Sequence, residues 1–117
     1  MAQGETSQTC GTKKITYPTG STFVCVCPGT GKCTWVVILD GGTVFTGTDL
    51  RPNPTPKPPH ITVVGSLADA ALAFQRVLKR RVIVPKELRA VSVKKTFKGT
   101  ARTAAAQLGL QVTTKRA

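Results

Sequence analysis

Apolar residues recur along the chain with two different spacings. Before the chain's midpoint they form short runs bounded by turn residues: KITY ending at Pro18 and Gly20, STFVCVC, CTWVVIL running into DGG, and TVFTG. Short runs rich in Val, Ile, Thr and aromatics, punctuated by Gly and Pro, read as strands. Asp40-Gly41 between two of them is a hairpin signal, because a tight turn favours residues that tolerate positive φ. These residues predict a small antiparallel meander, with the continuous run WVVIL as its most buried strand.

After residue 60 the spacing lengthens. ITVVG (61–65) reads as a strand ended by Gly65, and Ser66 with Asp69 forms a capping box that opens a helix. Within SLADAALAFQRVLKRR, Leu67, Ala70, Ala71, Phe74, Val77 and Leu78 follow the i, i+3, i+4, i+7 rhythm of one buried face. VIV makes a short strand that Pro85 stops, and KELRA reads as a turn or brief helix. VSVKKTF (91–97) alternates as a half-buried strand, although Lys95 shares the parity of Val93 and Phe97. Gly99-Thr100 leads into a second helix, ARTAAAQL, closed by Gly109, and LQV forms a last strand. The order is β-α-β-β-α-β, and the fold class is α+β.

Between the two regions lies LRPNPTPKPPHI, with five prolines between Pro52 and Pro59. Proline lacks a donor and favours extended geometry, so this run reads as a stiff, solvated spacer. The expected organisation is a cysteine-containing β unit over 1–49, a Pro-rich linker over 50–60 and an α+β domain over 61–117. With 117 residues in all, each unit alone has a thin core and needs a staple or contact with the other. The halves either pack together or swing on the spacer.

Charge sharpens the division. The formal net charge is +12, and residues 60–117 carry 12 basic against 2 acidic residues, whereas residues 1–59 carry 5 against 3. An anionic partner is expected for such a chain. The candidate partner-binding cations are Arg76, Lys79, Arg80 and Arg81 near the end of the first helix, Lys94, Lys95 and Lys98 on the alternating strand, and Arg102 at the start of the second helix. The bland reading of the first group is helix capping, since cations complement the C-terminal dipole. No apolar run is long enough to span a bilayer. The N-terminus MAQGETSQTCG lacks the positive and apolar regions of a secretory signal.

Chemistry enters with FVCVCPGTGKCTW (23–35). A phosphate-binding loop needs a glycine five positions before Gly-Lys and Ser or Thr directly after it; here position 26 is Val and Cys33 follows Lys32. Those departures argue against nucleotide binding by this loop. The four cysteines, Cys10, Cys25, Cys27 and Cys33, match the ligand count of a structural zinc. Their spacing differs from the usual C-x-x-C, and Cys25 and Cys27 in a strand lie on one face about 7 Å apart. Two disulfides are the competing reading: Cys27 and Cys33 flank PGTGK, leaving Cys10 and Cys25 to tie down the N-terminus. Four cysteines allow three connectivities, and buried free thiols are a third alternative.

The second half resembles the short N-terminal domain shared by secretins and TonB-dependent transporters. The resemblance covers residues 61–112 and rests on Ala71-Leu72, Val82 to Val84 with Pro85 to Leu88, Val91 to Gly99, Ala104 to Leu108 and Gly109-Leu110. One difference is Arg102, a cation where the family's second helix commonly opens with acidic residues. The resemblance implies a module that docks another envelope protein in a secretion or transport assembly. It places the chain in the periplasm or cell envelope, where disulfides persist; the cytoplasm is the alternative.

A small basic nucleic-acid-binding protein, with structural zinc, is the rival expectation. It is poorly served by aromatics, since the second half has only Phe74 and Phe97 and Phe74 falls on the core face of the helix. An enzyme is not expected: His60 is the sole histidine and no nucleophile, base and orienter stand in a recognisable pattern. The expected activity is association through a strand edge or a cationic face, without a cofactor other than a structural zinc.

Overall fold

The computed structural model describes residues 4–29, 31–39, 42–48 and 59–116. In chain order the elements are β1 (Glu5–Cys10), β2 (Lys13–Pro18), β3 (Thr22–Cys27), β4 (Thr34–Ile38), β5 (Val44–Thr48), β6 (His60–Ser66), α1 (Leu67–Leu78), β7 (Val82–Ile83), a 3₁₀ turn (Lys86–Leu88), β8 (Ser92–Lys98), α2 (Ala101–Gln107) and β9 (Gln111–Val112). The fold is α+β, and residues 60–112 follow the β-α-β-β-α-β order read from the sequence.

β3 is the axis around which the rest is arranged. It pairs antiparallel with β4 on one side, Cys25 opposite Trp35, and with β6 on the other, Cys25 opposite Thr62. With β5 outside β4 and β8 outside β6, one antiparallel sheet of five strands runs β5-β4-β3-β6-β8. Strands from both sides of the Pro-rich segment therefore share one hydrogen-bonded ladder, and the two halves are packed rather than hinged. The spacer itself, residues 50–58, lies outside the described residues, as do the hairpin residues Asp40 and Gly41. The β4–β5 hairpin expected from them is present, with Ile38 opposite Val44.

The alternation of side chains gives the sheet one face covered by the helices and a second covered by the β1–β2 hairpin over β3 and β4. Val24, Val36, Ile38, Ile61, Val63 and Phe97 point to the helices and join Leu67, Ala70, Ala73, Phe74, Ala104 and Ala105 in the larger core. Helix α1 buries Leu67, Ala70, Ala71, Ala73 and Phe74, close to the face its spacing predicts, with Val77 and Leu78 half-buried. Its start carries half of the expected capping box: the Asp69 amide donates to Ser66 Oγ at 3.2 Å, while the Ser66 amide donates to Thr22 Oγ1 instead of to the Asp69 carboxylate. Thr100 caps α2 likewise, accepting from the Thr103 amide at 3.3 Å. Small alanines on both helices let them lie close together, and the two-stranded β7–β9 sheet packs against both, β7 on α1 and β9 on α2.

On the opposite face, Phe23, Cys25, Cys27 and Val37 meet Cys10, Ile15 and Tyr17 from the β1–β2 hairpin. Tyr17 stacks on Phe23 with centroids 5.4 Å apart. Disulfides join Cys10 to Cys25 and Cys27 to Cys33, with Cα separations of 5.6 and 4.2 Å. The first pins the hairpin to the sheet and the second closes the β3–β4 connection. Cys25 and Cys27 share a face as expected, but their sulfurs lean together to 3.5 Å.

One expectation is corrected. The most buried strand is β3, not the WVVIL strand, because only β3 sits centrally under both the helices and the hairpin; β4 leaves Thr34 and Trp35 partly exposed. Close approach at the β3–β6 seam depends on Gly65, whose φ is +129° and where a Cβ would sit 2.6 Å from Thr22 Cα. That contact lets Thr22 Oγ1 accept from the Ser66 amide at 3.1 Å, tying the sheet to the start of α1.

Candidate docking surface

The eight candidate cations do not form one patch. Seven are exposed and Arg80 is half-buried. Arg76 and Lys79 project from the end of α1 beside β4 and β5, where they border shallow clefts with Val44, Leu72 and Thr46. Lys94, Lys95 and Lys98 lie on β8, at the opposite edge of the sheet. Four strand spacings, about 19 Å, separate these edges. Arg102 stands in the first turn of α2, four residues past Lys98. Arg80 and Arg81 occupy the α1–β7 connection, where the C-terminal segment brackets Arg81: its amide donates to Lys115 O and its carbonyl accepts from the Thr113 amide, both at 2.9 Å. The structure thus adds Lys115 and Arg116 to the neighbourhood of Arg81, which their distance in sequence concealed.

Capping explains part of the α1 group. Lys79 is the C-cap residue with φ 59°, its amide donating to Gln75 O at 3.0 Å. Its side chain stays exposed, and among the described residues no lysine or arginine pairs with a carboxylate. Lys95, the odd residue in the β8 alternation, keeps its inward parity by laying its ammonium 5.2 Å from the Phe97 ring centroid.

The cysteines are consumed by bonding. Cys10, Cys25 and Cys27 place their sulfurs within 4.8 Å of one another, a grouping with the ligand type of a zinc site. Zinc takes thiolates, and sulfurs joined in disulfides carry no such charge, so in this bonded state the residues do not fit the metal. A redox state with two disulfides fits an oxidising compartment. Among the described residues no helix is long and apolar enough to cross a membrane.

The two edges of the sheet differ in character. β8 carries three lysines in seven residues, the device by which edge strands deter unwanted pairing. β5, VFTGT, carries no charge. Beside it lies an apolar groove of about 250 Å³ walled by Ile15, Tyr17, Trp35, Val37, Leu39 and Phe45. Phe45 is 52% exposed and Leu72, against Val44 on the other face, 47%. The Trp35 ring lies flat over Gly47, where a Cβ would come within 2.6 Å of it, and the Lys13 ammonium sits 5.8 Å from the ring centroid. Tyr17 and Trp35 keep a buried hydroxyl and a buried indole N–H without a hydrogen-bond partner. Burial pushes the Tyr17 phenol above its usual pKa. The Gln8 side chain lowers it by less, approaching the hydroxyl short of hydrogen-bond geometry.

This groove was missed in the sequence. Phe45 reads there as one more strand hydrophobe, and the available signal was the absence of any charge along TVFTG. The open β6–β8 surface offers no stacking platform, since Phe74 and Phe97 are both buried. No protein-family model matches the chain, and neither a curated protein nor a solved structure matches it.

Proposed function

We propose that the protein is a non-enzymatic docking module that grips another protein through the edge of its sheet. The observation that carries this reading is the contrast between the two edges: β8 is guarded by lysines, while β5 is uncharged and flanked by exposed apolar side chains. A chain that needed only solubility has reason to guard both edges alike. An unguarded edge with an apolar groove beside it has the ingredients of strand addition, in which backbone bonds give affinity and alternate pockets give selectivity.

The disulfides and the β-α-β-β-α-β arrangement support a setting outside the cytoplasm, in a cell-envelope assembly of the kind that secretin and TonB-transporter N-terminal domains serve. The nucleic-acid alternative draws on the +12 charge, yet the cations are divided between opposite edges and the two rings of the basic half, Phe74 and Phe97, are both buried.

A photo-crosslinking amino acid placed in turn at Phe45, Leu72, Lys94 and Arg81, in the cells that make the protein, tests the reading. Protein adducts of one discrete mass are expected from at least one position. Adducts to nucleic acid alone, or none from any position, contradict it.

A further inference from the structure

We infer, building on the docking reading above, that the β5 edge takes up an extended segment of a partner protein in which apolar and acidic side chains alternate. The backbone supplies the first half of the argument. At the mouth of the β4–β5 hairpin the Leu39 amide donates to Thr43 O at 2.8 Å. In an antiparallel ladder, bonded and non-bonded pairs alternate. With Val37 opposite Phe45 and Trp35 opposite Gly47, Phe45 and Gly47 bond inward to β4. Val44, Thr46 and Thr48 aim their N–H and C=O groups outward, with no strand beyond them among the described residues.

Side chains supply the second half. An added strand sends successive side chains to opposite faces. On the hairpin side they meet Phe45 and the groove formed with Tyr17, Trp35 and Leu39, which rewards apolar groups. On the helix side they meet Arg76 and Lys79, two exposed cations with no carboxylate partner among the described residues, beside Val44. One parity of the incoming strand is therefore apolar and the other acidic.

Charge also selects among occupants. Pairing of β5 with a second copy of itself about a two-fold axis would set Arg76 and Lys79 of both copies on the same side of the seam, between molecules each of net charge +12. The lysine-bearing β8 edge has charge for an acidic strand but not the groove: the two most exposed large hydrophobes, Phe45 and Leu72, flank β5, while β8 is preceded by Val91 alone.

The test uses the full chain and two fluorescein-labelled hexapeptides, Glu-Val-Glu-Val-Glu-Val and its Lys-for-Glu counterpart, followed by anisotropy at physiological salt. The acidic peptide is expected to bind and the basic one at least about tenfold more weakly. Proline is tolerated on an edge strand where its nitrogen faces outward, so Thr46→Pro removes the central docking donor while leaving the backbone ladder to β4; the 2.9 Å bond from Thr46 Oγ1 to Trp35 O is lost equally in Thr46→Val, the control. It should weaken binding roughly tenfold, whereas Thr46→Val should not. Arg76→Glu with Lys79→Glu should reverse the preference between peptides, and Lys94→Glu with Lys98→Glu should leave it unchanged. If Thr46→Pro melts early, amide exchange on the unmodified protein replaces it, with the acidic peptide expected to slow Val44 and Thr46.

Equal binding of both peptides, indifference to Thr46→Pro in a folded variant, or dependence on Lys94 and Lys98 overturns the inference. Failure here with protein cross-links persisting from Lys94 or Arg81 removes strand addition at β5 alone; loss of cross-links from every position removes the docking reading itself.

Discussion

Replacing Cys10 and Cys25 together by alanine removes the disulfide that ties the β1–β2 hairpin to the sheet. The bond spans a sequence separation of 15, for which chain-entropy reasoning gives about 3 kcal/mol. Both residues are essentially inaccessible, at 0% and 1%, so the lost sulfur volume adds a cavity cost of about 1 kcal/mol. For 117 residues the unfolding entropy is about 0.25 kcal/mol/K, and the combined loss of about 4 kcal/mol lowers the melting midpoint by roughly 16 °C. The Cys27–Cys33 bond, with a separation of 6, is worth only about 2 kcal/mol by the same relation. An isolated two-stranded hairpin is marginal in water. With the tie gone, the hairpin's hold reduces to Ile15 and Tyr17 against Phe23 and Val37. Calorimetry of the two double variants, combined with amide exchange over residues 8–17, measures both effects. The Cys10/Cys25 variant should melt lower than the Cys27/Cys33 variant and lose hairpin protection before sheet protection. A hairpin that stays as protected as β3, or a melting order reversed between the variants, would refute this reasoning.

Other consequences follow from single positions. Gly65→Ala combines φ +129° with a Cβ 2.6 Å from Thr22 Cα, so β6 must move off β3; denaturant unfolding should show a loss of roughly 3 kcal/mol. Lys79→Gly relieves a side-chain-bearing residue at φ 59° and should stabilise by about 0.5–1 kcal/mol in the same assay. The Tyr17 phenol is raised by burial, so above its unfolded pKa of about 10 the native state holds a proton that the unfolded chain releases. Stability is therefore full below that pH and falls as pH rises through the folded pKa. As Tyr17 is the one tyrosine, tyrosinate absorbance should lag its free titration until unfolding, and Tyr17→Phe should flatten the alkaline limb.

Local signals in the sequence carried the elements whose cause is local. The Ser66–Asp69 box opened α1 where it begins, the 3.6-residue spacing identified Leu67, Ala70, Ala71 and Phe74 as its core face, and the spacing of Cys27 and Cys33 brought their pairing into view. β1 went unseen because ETSQTC has no apolar rhythm: only Cys10 is buried, and its remaining residues are polar partners of β2. The ranking of WVVIL over β3 failed because burial depends on what covers a strand, which run length does not encode. Pairing of β3 with β6 joins segments 33 residues or more apart across a proline-rich run, and nothing in periodicity announces such a contact. The same non-local order sends Arg76 and Lys79 to one edge of the sheet and Lys94 to Lys98 to the other, although the sequence lists them as one basic half. The groove beside β5 needs Tyr17, Trp35 and Phe45 together, residues from three strands whose convergence only the fold supplies.

The most direct measurement is residue-resolved amide exchange on the free protein. One continuous sheet with an open β5 edge predicts that the cores of β3 and β6 exchange together in the slowest class, that Phe45 and Gly47 are protected, and that Val44 and Thr46 exchange near the rate of unstructured chain. Protection of Val44 and Thr46 equal to that of Phe45 and Gly47, or separate opening of β3 and β6, would contradict it.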